Sequence, residues 1–178
     1  MVVLRPVNLR WINDTADDPN DLCVHGEVEF RIGADVLLSG DGLDWTLSAA
    51  ALYLLRTLSR PHTRQTPVGD HLFPCCGYPL FEPPSEPDVA ICECPSGEDF
   101  EVLHEPFRTG VRVRAGDGRE WRVGWQAWAS AVFGFADRVS AFYAACSPKT
   151  PTAEDAAGFA AFVREWERRR GLPFVARG

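Results

Sequence analysis

Around Gly116-Asp117-Gly118 the chain alternates in polarity, and from Gln126 onward it stops alternating. Val111 and Val113 before the turn, and Trp121 and Val123 after it, share one parity, while Arg112, Arg114, Glu120 and Arg122 share the other. A period of two with one apolar and one charged side describes a hairpin with a buried face and a wet face. The Gly-Asp-Gly step between the two runs suits its turn. Beyond it, Trp128, Val132, Phe135, Val139, Phe142, Tyr143 and Cys146 recur at threes and fours, the stripe of an amphipathic helix. A half-buried hairpin followed at once by such a helix needs the stripe to cover the sheet. The fold class expected is therefore α+β, an antiparallel sheet built from hairpins with about three packed helices.

The remaining segments fit that plan. Residues 2–12 read as a strand interrupted by Pro6, suited to a sheet edge, and 13–21 as a polar loop. Val24, Gly26, Val28, Phe30 and Ile32 alternate with polar residues, and a second strand follows over 36–39. Gly40-Asp41-Gly42 breaks that strand. Asp44 or Thr46 then caps a helix reaching about residue 58, with Leu47, Leu52, Leu55 and Leu58 at helical spacing. Pro79, Pro83, Pro84 and Pro87 mark a stiff loop. A further hairpin is predicted between residues 89–94 and 99–104, across Pro95-Ser96-Gly97. Residues 148–152 read as a short proline-containing linker to a C-terminal helix. Thr152 and Asp155 cap that helix, Phe159, Phe162, Val163 and Trp166 stripe it, and Arg168-Arg169-Arg170 with Gly171 close it.

The 178 residues fit one domain, 1–178. Trp121, Trp125, Trp128 and Trp166 fall on faces expected to be buried, while Trp11 and Trp45 are left open between core and surface. No window approaches the ~20 apolar residues of a membrane span. The first residues lack a signal-peptide core. A cytoplasmic protein with reduced thiols is the expectation.

Charge is distributed unevenly. Residues 65–107 contain no lysine or arginine but nine carboxylates, whereas 18 basic and 16 acidic residues lie outside them. The whole net charge of −7 thus originates in one segment. Such a block is either a solvated face or an interface for something cationic. Glu93, Glu98, Asp99, Glu101 and Glu105 are the residues expected to meet a basic protein partner, unless Arg112 and Arg114 neutralise them within the fold. Nucleic acid is a poor partner for so acidic a chain.

The same segment holds four of the six cysteines. Cys92 and Cys94 lie two apart on an expected strand, so their thiols point the same way. Cys75 and Cys76 are adjacent, and in an extended chain only one of them joins that pair. His71 or His104 would complete a zinc site, although Cys-Cys with Cys-x-Cys is not the usual ligand spacing. Small core thiols are the plain alternative, and no cofactor is required by any motif. A nucleophilic cysteine needs a cationic surrounding, which the acidic segment denies it. No phosphate loop, dinucleotide fingerprint or nucleophile elbow is present.

Trp45-Thr46-Leu47-Ser48-Ala49-Ala50-Ala51-Leu52, Leu72-Phe73-Pro74-Cys75-Cys76-Gly77 and Cys94-Pro95-Ser96-Gly97-Glu98-Asp99-Phe100 together resemble the small bacterial immunity proteins of polymorphic toxin systems. The resemblance covers residues 22–145, with Cys92 as a departure. Such proteins bind a cognate toxin, often a basic nuclease, and block it without chemistry of their own. The resemblance implies a non-enzymatic binding protein whose partner is a basic toxin domain.

Overall fold

The computed structural model describes residues 1–13, 17–40 and 42–174, so positions 14–16 of the expected loop and Asp41 of the expected break lie outside it. Strand β1 (Val2–Arg10) runs antiparallel to β2 (His25–Ile32), and β2 also pairs with β3 (Asp35–Ser39) and the short β4 (Trp45–Thr46). β1 is an edge strand, which is why Pro6 is tolerated opposite Val28. Helix α1 (Leu47–Thr57) follows β4 directly. All of its residues are buried, so it is enclosed on every side rather than along one stripe. The N–H groups of Leu47 and Ser48 donate to the Val24 carbonyl at 2.7 and 3.3 Å. That arrangement satisfies the start of the helix and leaves the Thr46 hydroxyl free for another acceptor.

Four two-residue strands follow: β5 (Phe73–Pro74), β6 (Leu80–Phe81), β7 (Ala90–Ile91) and β8 (Gly97–Glu98). β5 pairs with β8 and β6 with β7, so the hairpin expected between 89–94 and 99–104 does not form. Ala90 and Ile91 take Phe81 and Leu80 as partners instead. The alternative pairing also inserts Phe73 into the core, where its ring meets those of Phe30 and Phe100 at 6.2 and 6.1 Å. Residues of the failed hairpin instead become β9 (Phe100–His104), which pairs with β10 (Gly110–Ala115), and β10 pairs with β11 (Glu120–Gly124). The hairpin around Gly116 is present in the expected parity, with Val111 opposite Val123 and Val113 opposite Trp121.

Helix α2 (Trp125–Ala144) buries Trp128, Val132, Phe135, Val139 and Tyr143. Trp128 reaches across to ring-pack with Phe30 at 6.3 Å. Trp121 is half-buried rather than beneath this stripe, because its indole N–H donates to Asp35 at 2.8 Å. Trp11 and Trp45 are both buried. Helix α3 (Ala156–Arg170) ends at Gly171, whose φ of 72° is the left-handed cap that glycine supplies without strain. The 148–152 link is tied down. Lys149 Nζ donates to the Asp18 carbonyl at 2.9 Å and lies 3.3 Å from the centre of the Trp11 ring. Among the described residues no helix is long and apolar enough to cross a membrane.

α1 and α3 are joined through a buried ion pair. Arg56 Nε and Nη2 donate to the two carboxylate oxygens of Glu165 at 2.8 Å each. The remaining Arg56 donors reach the Val68 and Val89 carbonyls at 2.6 and 2.7 Å. Glu165 also accepts from the Val89 N–H at 2.7 Å and from Arg169 Nε at 2.6 Å. This network fixes Val89, the residue before β7, at both its N–H and its C=O, a short way ahead of Cys92 and Cys94.

Candidate functional site

Three thiols from two separate segments converge at one end of the β5–β8 ladder. β5 stops at Pro74 and the chain bends at Cys75, so Cys75 and Cys76 no longer alternate as they would in a strand. The Cys75 N–H donates to the Ser96 carbonyl at 3.0 Å, and the Cys75 carbonyl accepts the Thr46 hydroxyl at 3.0 Å. These bonds fasten the bend to the start of α1 on one side and to the Cys94-Pro95-Ser96 turn on the other. Two glycines make the approach feasible. A Cβ on Gly77 would lie 2.6 Å from the Ala49 Cβ, and one on Gly97 would lie 2.4 Å from the His71 ring.

The Sγ atoms of Cys75, Cys76 and Cys94 all lie within 4.8 Å of one another. A cation bound at the usual Zn–S length of about 2.3 Å sets sulfurs about 3.8 Å apart, so small side-chain rotations suffice to close the set on an ion. Cys75 and Cys76 are exposed and Cys94 is half-buried, which leaves the group reachable from solvent. Hydrogen bonding with the Cys76 thiol holds Cys94 below the ordinary thiol range. The same contact with Cys94, with desolvation after it, pushes Cys76 up to about 12. Desolvation first and Cys94 second raise Cys75. A cation would bind by displacing the thiol protons.

The other ligand candidates are elsewhere. Cys92 is exposed, and its N–H donates to the Pro79 carbonyl at 2.9 Å as an extension of the β6–β7 ladder. Its thiol is not in the group. The His71 ring packs on Gly97 and faces Glu93 at 3.4 Å. His104 donates to the Thr57 carbonyl at 2.6 Å. Cys23, two residues before β2, is buried, and its thiol donates to the Gly77 carbonyl at 3.6 Å. The pairing of Cys92 with Cys94 follows from assuming one continuous strand, whereas β7 ends at Ile91 and residues 92–94 lie outside any strand.

Of the acidic residues singled out from the sequence, four are engaged inside the fold. Glu93 is 1% exposed at its side chain and accepts the N–H groups of Asp70 and His71 at 2.9 and 3.1 Å. Asp99 accepts from the buried His62 ring at 2.7 Å and from the Leu72 N–H at 3.0 Å. Glu101 pairs with Arg114 at 3.1 Å, and Glu105 with Arg112 at 3.0 Å. The cations missing from 65–107 in the sequence are thus supplied by the following hairpin, and also by α3, where Arg168 and Arg169 both pair with Asp88 at 2.7 Å. Glu98 alone of the five is exposed without an ion pair among the described residues.

Beside the thiols runs a cleft of about 450 Å³. Leu22, Cys23, His25, Thr46, Tyr78 and Cys76 itself line it. His25 Nδ1 lies 3.6 Å from Asp44, whose carboxylate is also 2.8 Å from Arg10. Burial pulls the His25 imidazole below its ordinary range. Cys76 is therefore shared between the thiol group and the cleft wall. No family model, no curated protein and no solved structure matches this chain.

Proposed function

We propose that the protein is a non-enzymatic thiolate metal-binding protein, with Cys75, Cys76 and Cys94 holding one soft cation of the Zn²⁺ or Cu⁺ class. The convergence of three thiols within 4.8 Å carries this reading, because soft sulfur donors select such ions over Mg²⁺ or Ca²⁺. A cation there would cross-link the bend after β5 to the turn before β8, closing the proline-rich segment between them. A reducing, cytoplasmic setting agrees with six free cysteines. The test is titration of reduced, chelator-treated protein with Zn²⁺ or Co²⁺, expected to saturate at one ion per chain. Cys94→Ser should weaken binding by more than ~100-fold, beyond the 10–100-fold typical of outer-shell changes, and Cys92→Ser should leave it intact. Equal losses in both variants, or no stoichiometric binding in the parent protein, would discard the site.

A second reading keeps the partner suggested by the sequence, a basic toxin domain bound without chemistry. It is favoured by Asp70, Glu86 and Glu98, which are exposed and have no ion pair among the described residues. These charges would steer a cationic protein, with binding that weakens as salt rises. Glu98→Arg is expected to change stability by less than ~0.5 kcal/mol while weakening low-salt capture of the partner. Asp99 should behave differently. Burial tends to raise its pKa, but hydrogen bonding and charge from His62, with the Leu72 N–H, outweigh that and hold it below 3.8. A carboxylate depressed in the folded state contributes stability above its unfolded pKa and loses it as pH falls through the folded one. Asp99→Asn should therefore flatten the acid limb of a stability–pH profile below about pH 4. Capture that ignores both salt and Glu98→Arg would end this reading.

A further inference from the structure

Three donors are one fewer than a closed zinc site uses. Structural zinc sites are four-coordinate, whereas sites with three protein ligands keep a position for an outside molecule. Among the described residues no fourth histidine, cysteine or carboxylate oxygen joins the Cys75, Cys76 and Cys94 sulfurs within their 4.8 Å spacing. His71 is held over Gly97, and Cys92 is on the neighbouring ladder. The position left over is accessible, since Cys75 and Cys76 are exposed. It also adjoins the cleft, because Cys76 is at once a member of the thiol group and part of the cleft wall.

Building on the thiolate site proposed above, we propose that the bound ion keeps its fourth coordination position for an exogenous small molecule, a neutral nitrogen donor of the imidazole type carrying an apolar body that lies in the cleft. Charge selects the head group. Three thiolates already exceed a divalent ion by one negative charge, and Asp18 and Asp21 stand on the cleft lining, so an anionic ligand is opposed twice. The cleft selects the body. Ile12, Leu22, Cys23 and Tyr78 offer apolar surface there. The Asp21 oxygens are already used by the Ile12 and Cys23 N–H groups at 2.8 and 3.1 Å, so that carboxylate needs no partner from the ligand.

The experiment uses the full chain loaded with Co²⁺, whose visible ligand-field band reports coordination while the sulfur-to-metal charge-transfer band reports the thiolates. Imidazole and 1-benzylimidazole should each shift the ligand-field band saturably, the benzyl compound at least ~10-fold more tightly through its buried apolar area. Acetate at the same concentrations should leave the band in place. Ile12→Ser, at a rim residue that is 62% exposed, should remove most of the benzyl advantage and spare the response to imidazole. A charge-transfer band that forms normally beside a ligand-field band unmoved by either imidazole would overturn the open position alone. Equal affinity for the two compounds would overturn the role of the cleft. Failure of Co²⁺ to produce any charge-transfer band would discard the thiolate site itself, together with this inference.

Discussion

Replacing Glu165 with alanine should destabilise the protein by about 3–5 kcal/mol, the cost of leaving a buried charge unpaired. The magnitude follows from what the substitution strands. Arg56 is 5% exposed, and two of its donors face the Glu165 oxygens. Truncating Glu165 leaves that guanidinium with carbonyl acceptors but no carboxylate bonded to it, only the charge of Asp88, which Arg168 and Arg169 already pair, and leaves the Val89 N–H without its 2.7 Å acceptor. Arg169 does not compensate, since it is a second cation at the same site, 2.6 Å from Glu165. Arg56→Met alone should also be destabilising. The double change to Arg56→Met with Glu165→Leu should be much milder than the two costs added, because no charge is then buried. A coupling of about 2–3 kcal/mol in the double-mutant cycle is expected from urea unfolding. A Glu165→Ala cost under ~1 kcal/mol would mean that water reaches the pair.

This pair also shows how far the sequence can be read. The hairpin around Gly116 and the stripe from Trp128 to Tyr143 are legible because each is a local pattern with one period. Arg56 is less so, yet it leaves a signal. It is the lone charge in Leu47–Thr57, and a charge in an otherwise apolar helix needs a partner somewhere. Glu165 is camouflaged in Arg164-Glu165-Trp166-Glu167-Arg168, which looks like a solvated helix end, although its position three residues after Phe162 puts it beside the apolar stripe.

The thiol group is half-legible. The residue types and their clustering are evident in the chain, but which thiols meet depends on non-local pairing. Adjacent cysteines face apart only while the backbone is extended, and the bend at Cys75 is fixed by bonds to Ser96 and Thr46, 21 and 29 positions away in the chain. The acidic segment misleads for the same reason. Arg112 and Arg114 on the next hairpin are foreseeable as its cations and take Glu105 and Glu101, but nothing within 65–107 points to Arg168 and Arg169, which arrive from α3 and take Asp88.

Phe135→Ala carries the other large expected effect, about 3–5 kcal/mol from lost burial together with the cavity left behind. How much of a cavity cost is felt depends on whether the surroundings can collapse into it, and here both flanks of α2 are pinned. Toward its N-terminal end the Trp128 indole N–H donates to the Thr57 hydroxyl at 3.1 Å, at the far end of the enclosed helix α1. Toward its C-terminal end the Tyr143 hydroxyl donates to the Leu22 carbonyl at 2.6 Å. Phe135 is 0% exposed and lies between these anchors, so α2 cannot slide or tilt to refill the space without breaking one of them. Phe133, half-buried under the Arg170 guanidinium, borders solvent instead, and its truncation should cost distinctly less. Chemical unfolding of the two variants side by side measures the difference. Comparable costs for the two would mean that the α2 seam relaxes around Phe135 despite its anchors, and that the core is held chiefly by the Arg56–Glu165 network rather than by packing along this helix.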